Sequence, residues 1–200
     1  EPISEADVTG VAEALKTAQY QISDVDRKER RRWSLAPFTT STLQQQAATR
    51  LGMTSKQTMM MAQHLYEEGL ITYHRTDSVT LSNQALAMAK DHIKATYGDE
   101  YLPEKAPVFK SKAKNAQEAH EAIRPTNAFL TANDLVGARE EETRLYQLIW
   151  QQYIASQMKD AEYLSTSAKI ALDKYTFTAK GREIVFDGYT KISKDNTKNP

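Results

Sequence analysis

The chain has 200 residues, 40% of them hydrophobic, with 7 Gly and 6 Pro. That balance suits one large globular domain or two small ones and excludes a mostly disordered chain. Lys and Arg (26) match Asp and Glu (26), so any basic surface must be local, and the lack of cysteine excludes disulfides and thiolate zinc sites, which suits a reducing cytosol.

No apolar run approaches the ~18 residues a membrane span requires. The opening "EPISEADVTG" lacks a methionine, a basic stretch and an apolar stretch. It reads as a piece of a longer chain rather than a signal peptide.

From Ser4 to Ala18, Val8, Val11, Ala12, Leu15 and Ala18 recur at helical spacing, and Ser4 can cap a first helix. Residues 20–33, "YQISDVDRKERRRW", read as a strand with a charged outer face. Leu43, Ala47 and Leu51 then mark a second helix that Gly52 can end in a left-handed conformation. A third helix follows, capped at Thr54 or Ser55, with Met59, Ala62, Leu65 and Tyr66 on one side and Gly69 as its stop. The run Met59-Met60-Met61 reads as core packing.

Two helices joined by a short turn and followed by an extended "LITY" form a winged-helix-like signature, a pattern also common without any DNA role. Ser82 caps a fourth helix that carries Leu86, Ala89 and Ile93 and ends at Gly98. Residues 99–116, with Pro103, Pro107 and the alternating Lys110, Lys112 and Lys114, read as a surface loop. A fifth helix spans about Ala138 to Met158, and then the period changes to two. Short antiparallel strands follow, with turns expected at Asp173-Lys174 and at Lys180-Gly181-Arg182. The expected fold is α+β: a helical, winged-helix-like domain over 36–159, inserted into a discontinuous β-rich domain made of 1–35 and 160–200.

Three stretches carry candidate chemistry. In "LITYHRTDSVTLS", residues 70–82, Arg75 falls on the same side of an extended chain as Tyr73. A free phenol titrates near pH ~10 and is a poor nucleophile at neutrality unless a cation or a base assists it. A guanidinium two residues away could stabilise both a phenolate and a phosphate under attack. Most tyrosines are packing residues, so this one's neighbours are what single it out.

In "AQEAHEAIRPT", residues 116–126, His120 and Arg124 share a face if the segment is a helical turn, which Pro125 would end. The pair His120-Glu121 invites a zinc-protease reading. That motif needs a second histidine at position 124, which is arginine, so zinc is excluded there. Asp24, Asp26 and Glu29 could imitate a magnesium-binding acid cluster, but basic residues follow at once and they read as solvated strand surface.

With these residues placed, the sequence resembles the type IA DNA topoisomerases, the bacterial topoisomerase I branch above all. The matching stretches are "PFTTSTLQQQAATRLG" (37–52), "KQTMMMAQHLYEEGLITYHRTDS" (56–78), "QEAHEAIRPT" (117–126) and "LYQLIWQQYIASQM" (145–158). The resemblance implies that Tyr73 is the cleavage nucleophile, forming a 5′-phosphotyrosyl link to DNA and freeing a 3′-hydroxyl. It implies that Arg75 stabilises the transition state, that His120 belongs to the active site, and that Arg124 contacts phosphate. Relaxation of negative supercoils would need no ATP, because the covalent link preserves the energy of the broken bond.

It further implies that the helical part carries the tyrosine and the β-rich part belongs to a gate around a DNA-sized hole. Mg2+ and its ligands would lie in an acidic α/β domain outside these residues, and a further domain would grip single-stranded DNA, so the isolated chain is expected to be inactive. A nucleoid-associated, cytoplasmic location follows, while oligomeric state is not implied. His74 departs from the methionine common at this position in the bacterial enzymes; reverse gyrases can carry histidine there. The competing expectations are a non-catalytic winged-helix module reading duplex DNA with Lys56, Gln57, Gln63 and His64, and a structural gate whose tyrosine is buried.

Overall fold

The computed structural model describes residues 5–17, 19–109, 121–172 and 175–193. The chain is mixed α+β and groups into two compact units, one made of residues up to Arg31 with Glu162–Phe186, the other of Arg32–Ala161 with the residues from Asp187 onward.

The first unit holds helix α1 (Glu5–Thr17) and a three-stranded sheet of β1 (Gln21–Arg32), β2 (Ala161–Leu172) and β3 (Tyr175–Phe186), in that spatial order. β2 and β3 pair antiparallel from Glu162 opposite Phe186 to Leu172 opposite Tyr175, with an irregularity between Glu162 and Tyr163 and with Thr166 opposite Gly181. The turn expected at Lys180-Gly181-Arg182 is therefore corrected: β3 runs straight through it. Gly181 has no positive φ, and a glycine in extended conformation between pairing neighbours weakens a strand without bending it. The other expected turn, at 173–174, lies outside the described residues.

The charges of β1 pair locally. Asp24 meets Lys169 at 3.3 Å, Asp26 meets Lys28 at 2.7 Å, and Arg31 meets Glu162 at 3.5 Å. Apart from the half-buried Glu162, these side chains are largely exposed, so the pairs contribute little to stability, and the aspartates behave as strand surface.

The second unit is built on α2 (Thr40–Leu51), α3 (Ser55–Glu67), α4 (Asn83–Tyr97) and α5 (Glu140–Ser156). Thr39 caps α2 and Thr54 caps α3, each in a reciprocal capping box, with Thr42 and Gln57 respectively. α2 ends at Gly52 with φ 71°, where a side chain would be strained. Ser82 caps α4 by accepting from the Ala85 amide.

α5 is the central rod, packing against α2, α3 and α4. Leu145, Tyr146, Ile149, Tyr153 and Ile154 on α5 are fully buried, as are Leu43 and Ala47 on α2 and Ala62 on α3. Each large apolar side chain so buried contributes on the order of 1.5–3 kcal/mol. The three aromatic heads with polar atoms are satisfied: Tyr153 donates to the Ala85 carbonyl (2.6 Å), Tyr146 to that of Leu130 (2.8 Å) and Trp150 to that of Ala128 (2.8 Å).

The buried stripe of α3 is rotated from the expected one. Thr58, Met61, Ala62 and Leu65 face inward, while Met60 and Tyr66 are exposed. Of the Met59-Met60-Met61 run only Met61 is buried. "LITY" also differs from expectation. It forms no strand, only an isolated bridge from Ile71 to Pro125.

Residues 187–193 group with the helices rather than with the strands. The Tyr189 amide donates to the Lys159 carbonyl at 3.0 Å. Gly188, at φ 48°, lies so close to residues 159 and 160 that a Cβ would meet both of their carbonyl oxygens.

Candidate active site

Residues 73–78 alternate strictly. Tyr73, Arg75 and Asp77 are exposed, and His74, Thr76 and Ser78 are buried. The backbone bends at residues 72, 74 and 75, so the alternation is not that of a regular strand, yet it leaves both Tyr73 and Arg75 open to solvent. The Tyr73 side chain is 51% exposed.

Since the segment belongs to no sheet, its backbone groups need other partners. Two threonines supply them. From the N-terminal turn of α2, the Thr40 hydroxyl donates to the His74 carbonyl at 2.8 Å, and its oxygen accepts from the Thr76 amide at 2.9 Å. The Thr40 amide in turn donates to the Thr76 carbonyl at 2.9 Å. On the other side, the Thr72 hydroxyl donates to the Ala122 carbonyl at 2.7 Å and accepts from the Arg124 amide at 3.0 Å, while the Thr72 amide donates to the Arg124 carbonyl at 2.8 Å. The tyrosine segment is thus clamped between α2 and residues 122–126.

That second clamp is itself extended. Ile123 bridges Phe38 and Pro125 bridges Ile71, so Arg124 sits in extended chain and not in a helical turn. Its guanidinium is turned inward, with a side chain only 10% exposed. It donates from Nη2 to Glu121 Oε2 at 2.7 Å and from Nη1 to the Pro125 carbonyl at 2.9 Å. Glu121 also accepts from the Ser82 amide at 2.6 Å, which joins the clamp to the cap of α4. Desolvation pushes the Glu121 carboxyl up, but hydrogen bonds from Arg124 and Ser82 outweigh it and hold the group below the ordinary carboxylate range. Arg124 therefore acts as an internal tie. His120, the other candidate of this stretch, lies outside the described residues.

Around the phenol stands a ring of aromatics. The Tyr73 ring meets Tyr66 of α3 edge-on at 5.3 Å and His74 at 5.3 Å, and Tyr66 lies 5.7 Å from His74. Such edge contacts are each worth about 0.5–1.5 kcal/mol and restrict the phenol's swing. His74 is 3% exposed, and neither ring nitrogen has a hydrogen-bond partner. Burial first, and the adjacent Arg75 charge second, lower its pKa, so the imidazole beside the phenol is neutral.

Burial separates this tyrosine from the packing tyrosines. The hydroxyls of Tyr146 and Tyr153 are locked to carbonyls, and desolvation pushes the Tyr153 phenol up to about 12 and that of Tyr146 higher still. Neither can serve as a nucleophile near neutrality. Thr40, Thr72, Tyr66 and Glu121 are the site's supporting residues that the sequence reading missed. The threonines flanking the motif, in "FTTS" and "ITYHRT", were the available signal.

Helix α3 offers little to a duplex. Gln57 is held in the Thr54 capping box, Gln63 donates to Glu67 at 2.8 Å, and His64 lies 3.2 Å from the buried Glu142 carboxylate. Of the four side chains expected to read DNA, Lys56 is the one without such a tie among the described residues. Among those residues there is also no group of three or more His, Asp or Glu able to hold a metal ion, and no helix long and apolar enough to cross a membrane.

Comparison with known proteins agrees over the full length. The family model described as DNA topoisomerase matches residues 3–200. DNA topoisomerase 1 of Pasteurella multocida is 48% identical across all of this chain, which covers 23% of that protein. The Vibrio cholerae protein of the same name is 46% identical over 99% of the chain and 22% of its own length. The structure of full-length topoisomerase I from Thermotoga maritima superposes with a TM-score of 0.82 at 33% identity, covering 96% of this chain and 32% of that one. The chain thus spans about a quarter of the length of the curated relatives it matches, and it belongs to the DNA topoisomerase family.

Proposed function

We propose that these residues are the tyrosine-bearing part of a type IA DNA topoisomerase that cuts one DNA strand, passes another through and rejoins the cut. The observation that carries the reading is the exposure of both Tyr73 and Arg75 on a segment whose backbone is clamped by Thr40 and Thr72. In the proposed step Tyr73 Oη attacks phosphorus, the P–O3′ bond breaks, the phenol proton departs and the leaving O3′ takes up a proton. Arg75, permanently charged and planar, offsets the charge that grows on the phosphoryl oxygens. The reverse attack by the 3′-hydroxyl restores the strand without ATP.

His120 is proposed as a further active-site group. Arg124 serves through Glu121 and Thr72 by holding the segment, in place of the direct phosphate contact expected of it. Mg2+ would be supplied on ligands from the rest of a longer protein, as would the grip on single-stranded DNA, and the β-rich unit would form part of the gate. A cytoplasmic protein associated with the nucleoid fits this work. The winged-helix reading of duplex DNA is disfavoured by the intramolecular ties of Gln57, Gln63 and His64.

The test is a full-length protein carrying Tyr73→Phe. It should lose covalent attachment to DNA while still binding single strands, and adducts that persist in that variant would refute the reading.

A further inference from the structure

A cleft of about 280 Å³ lies on the second unit away from the tyrosine segment, lined by Arg32, Trp33, Gln46, Thr49, Arg50 and Gln152 among others. In a chain of zero net charge, its charged lining residues are both arginines; no described carboxylate lines it. The Trp33 indole at its rim is 72% exposed, a large apolar surface left in water. Gln152 braces the wall, donating from Nε2 to the carbonyls of Leu35 (2.7 Å) and Ala36 (2.9 Å), which fixes the backbone next to Trp33.

The Arg50 guanidinium answers a phosphate, and an open indole face answers an unstacked base. Gln46 and Thr49 add neutral hydrogen-bonding groups that suit either the sugar or the base edge. A duplex buries its base faces, so the indole has a use only for a single strand. An acidic peptide would satisfy Arg50 but not the indole.

The cleft is also tied to the tyrosine by a rigid element. α2 begins at Thr40, which holds the Tyr73 segment, and Arg50 sits in its last turn. Ten residues of helix separate the two by about 15 Å.

We propose that this cleft, built on Trp33 and Arg50, is a subsite for a nucleotide of single-stranded DNA, one helix length from Tyr73. The proposal rests on the reading of this chain as part of a DNA topoisomerase. A strand seated there is held at a fixed offset from the cleavage centre, so the contact adds affinity and register without touching the chemistry.

The experiment uses the full-length protein and a single-stranded oligonucleotide carrying photoreactive 5-iododeoxyuridine, with mass mapping of the crosslinked peptide. Crosslinking at Trp33 is expected. Trp33→Ala should weaken single-strand affinity roughly tenfold, and Arg50→Glu should weaken it and flatten its salt dependence by about one unit of slope. Trp33→Phe and Arg50→Lys should retain most of the binding, which separates loss of contact from loss of fold. No crosslink at Trp33, or equal crosslinking to duplex, overturns the proposal. So does protection of Trp33 by an acidic peptide at concentrations where competing single strand gives none, which would assign the cleft to a protein partner.

The covalent-adduct assay on the same protein reads Tyr73 without involving Trp33. Adducts without a Trp33 crosslink would overturn the subsite and leave the topoisomerase reading intact; a Trp33 crosslink without adducts would do the reverse.

Discussion

The Thr40 hydroxyl, at the first turn of α2, donates to the backbone carbonyl of His74 at 2.8 Å, one residue past the proposed nucleophile. A single side chain thereby joins the best-packed helical layer to the residue next to Tyr73. Thr40→Val keeps the shape and removes both the donor and the acceptor. The loss should cost about 1–2 kcal/mol in urea unfolding. In the full-length protein it should also reduce covalent-adduct formation more than single-strand binding. Equal losses in both would argue against a positioning role.

Arg124 and Glu121 form the other clamp, and their pairing is pH-sensitive. The Glu121 carboxyl titrates below its ordinary range in the folded state, so its stabilisation is present above the unfolded value and is lost as pH falls through the folded one. Melting temperature should drop on acidification below pH ~4 more steeply in the native chain than in Glu121→Gln. Arg124→Ala, which strands a partly buried carboxylate, should cost about 2–3 kcal/mol at pH 7. Parallel acid profiles for the native and Glu121→Gln chains would refute the assignment.

His74 gives the opposite kind of prediction. Its folded pKa is lowered by burial and by Arg75, so the unfolded chain binds the proton more readily and stability falls as pH drops below about 6.5. His74→Met, which replaces the imidazole with an apolar side chain that does not titrate, should remove that part of the slope between pH ~7.5 and ~5.5. An unchanged difference in melting temperature across that interval would mean that the imidazole is not the titrating group.

Gly188 is a backbone prediction. With φ at 48° and the carbonyl oxygens of residues 159 and 160 in the space a Cβ would fill, Gly188→Ala should destabilise by about 1–3 kcal/mol in thermal or urea unfolding. A neutral substitution would show that the 159–160 backbone can move aside.

Much of this was legible in the sequence because the physics is local. Caps at Thr54 and Ser82, stops at Gly52 and Gly98, and the apolar period of α5 are each decided within one or two turns. Tyr73 and Arg75 were legible as two exposed polar groups close in sequence, though the backbone between them bends where an extended chain was expected. The backbone ties escaped notice because their partners lie far away in sequence. Thr40 reaches His74 across 34 residues, and Thr72 reaches Ala122 across 50. Distance does not explain Arg124, whose charge suggested phosphate: its acceptor Glu121 lies only three residues away. The false turn at Gly181 came from reading a glycine as punctuation where cross-strand pairing had already fixed an extended backbone.

The central claim is that Tyr73 becomes joined to the 5′ end of a broken strand. Denaturing electrophoresis of the full-length protein with end-labelled single-stranded DNA tests it directly. The account predicts that 3′-label migrates with the protein after detergent treatment, that 5′-label is released on a free fragment, and that Tyr73→Phe abolishes the adduct. Protein-linked 5′-label, or an adduct that survives Tyr73→Phe, would contradict it.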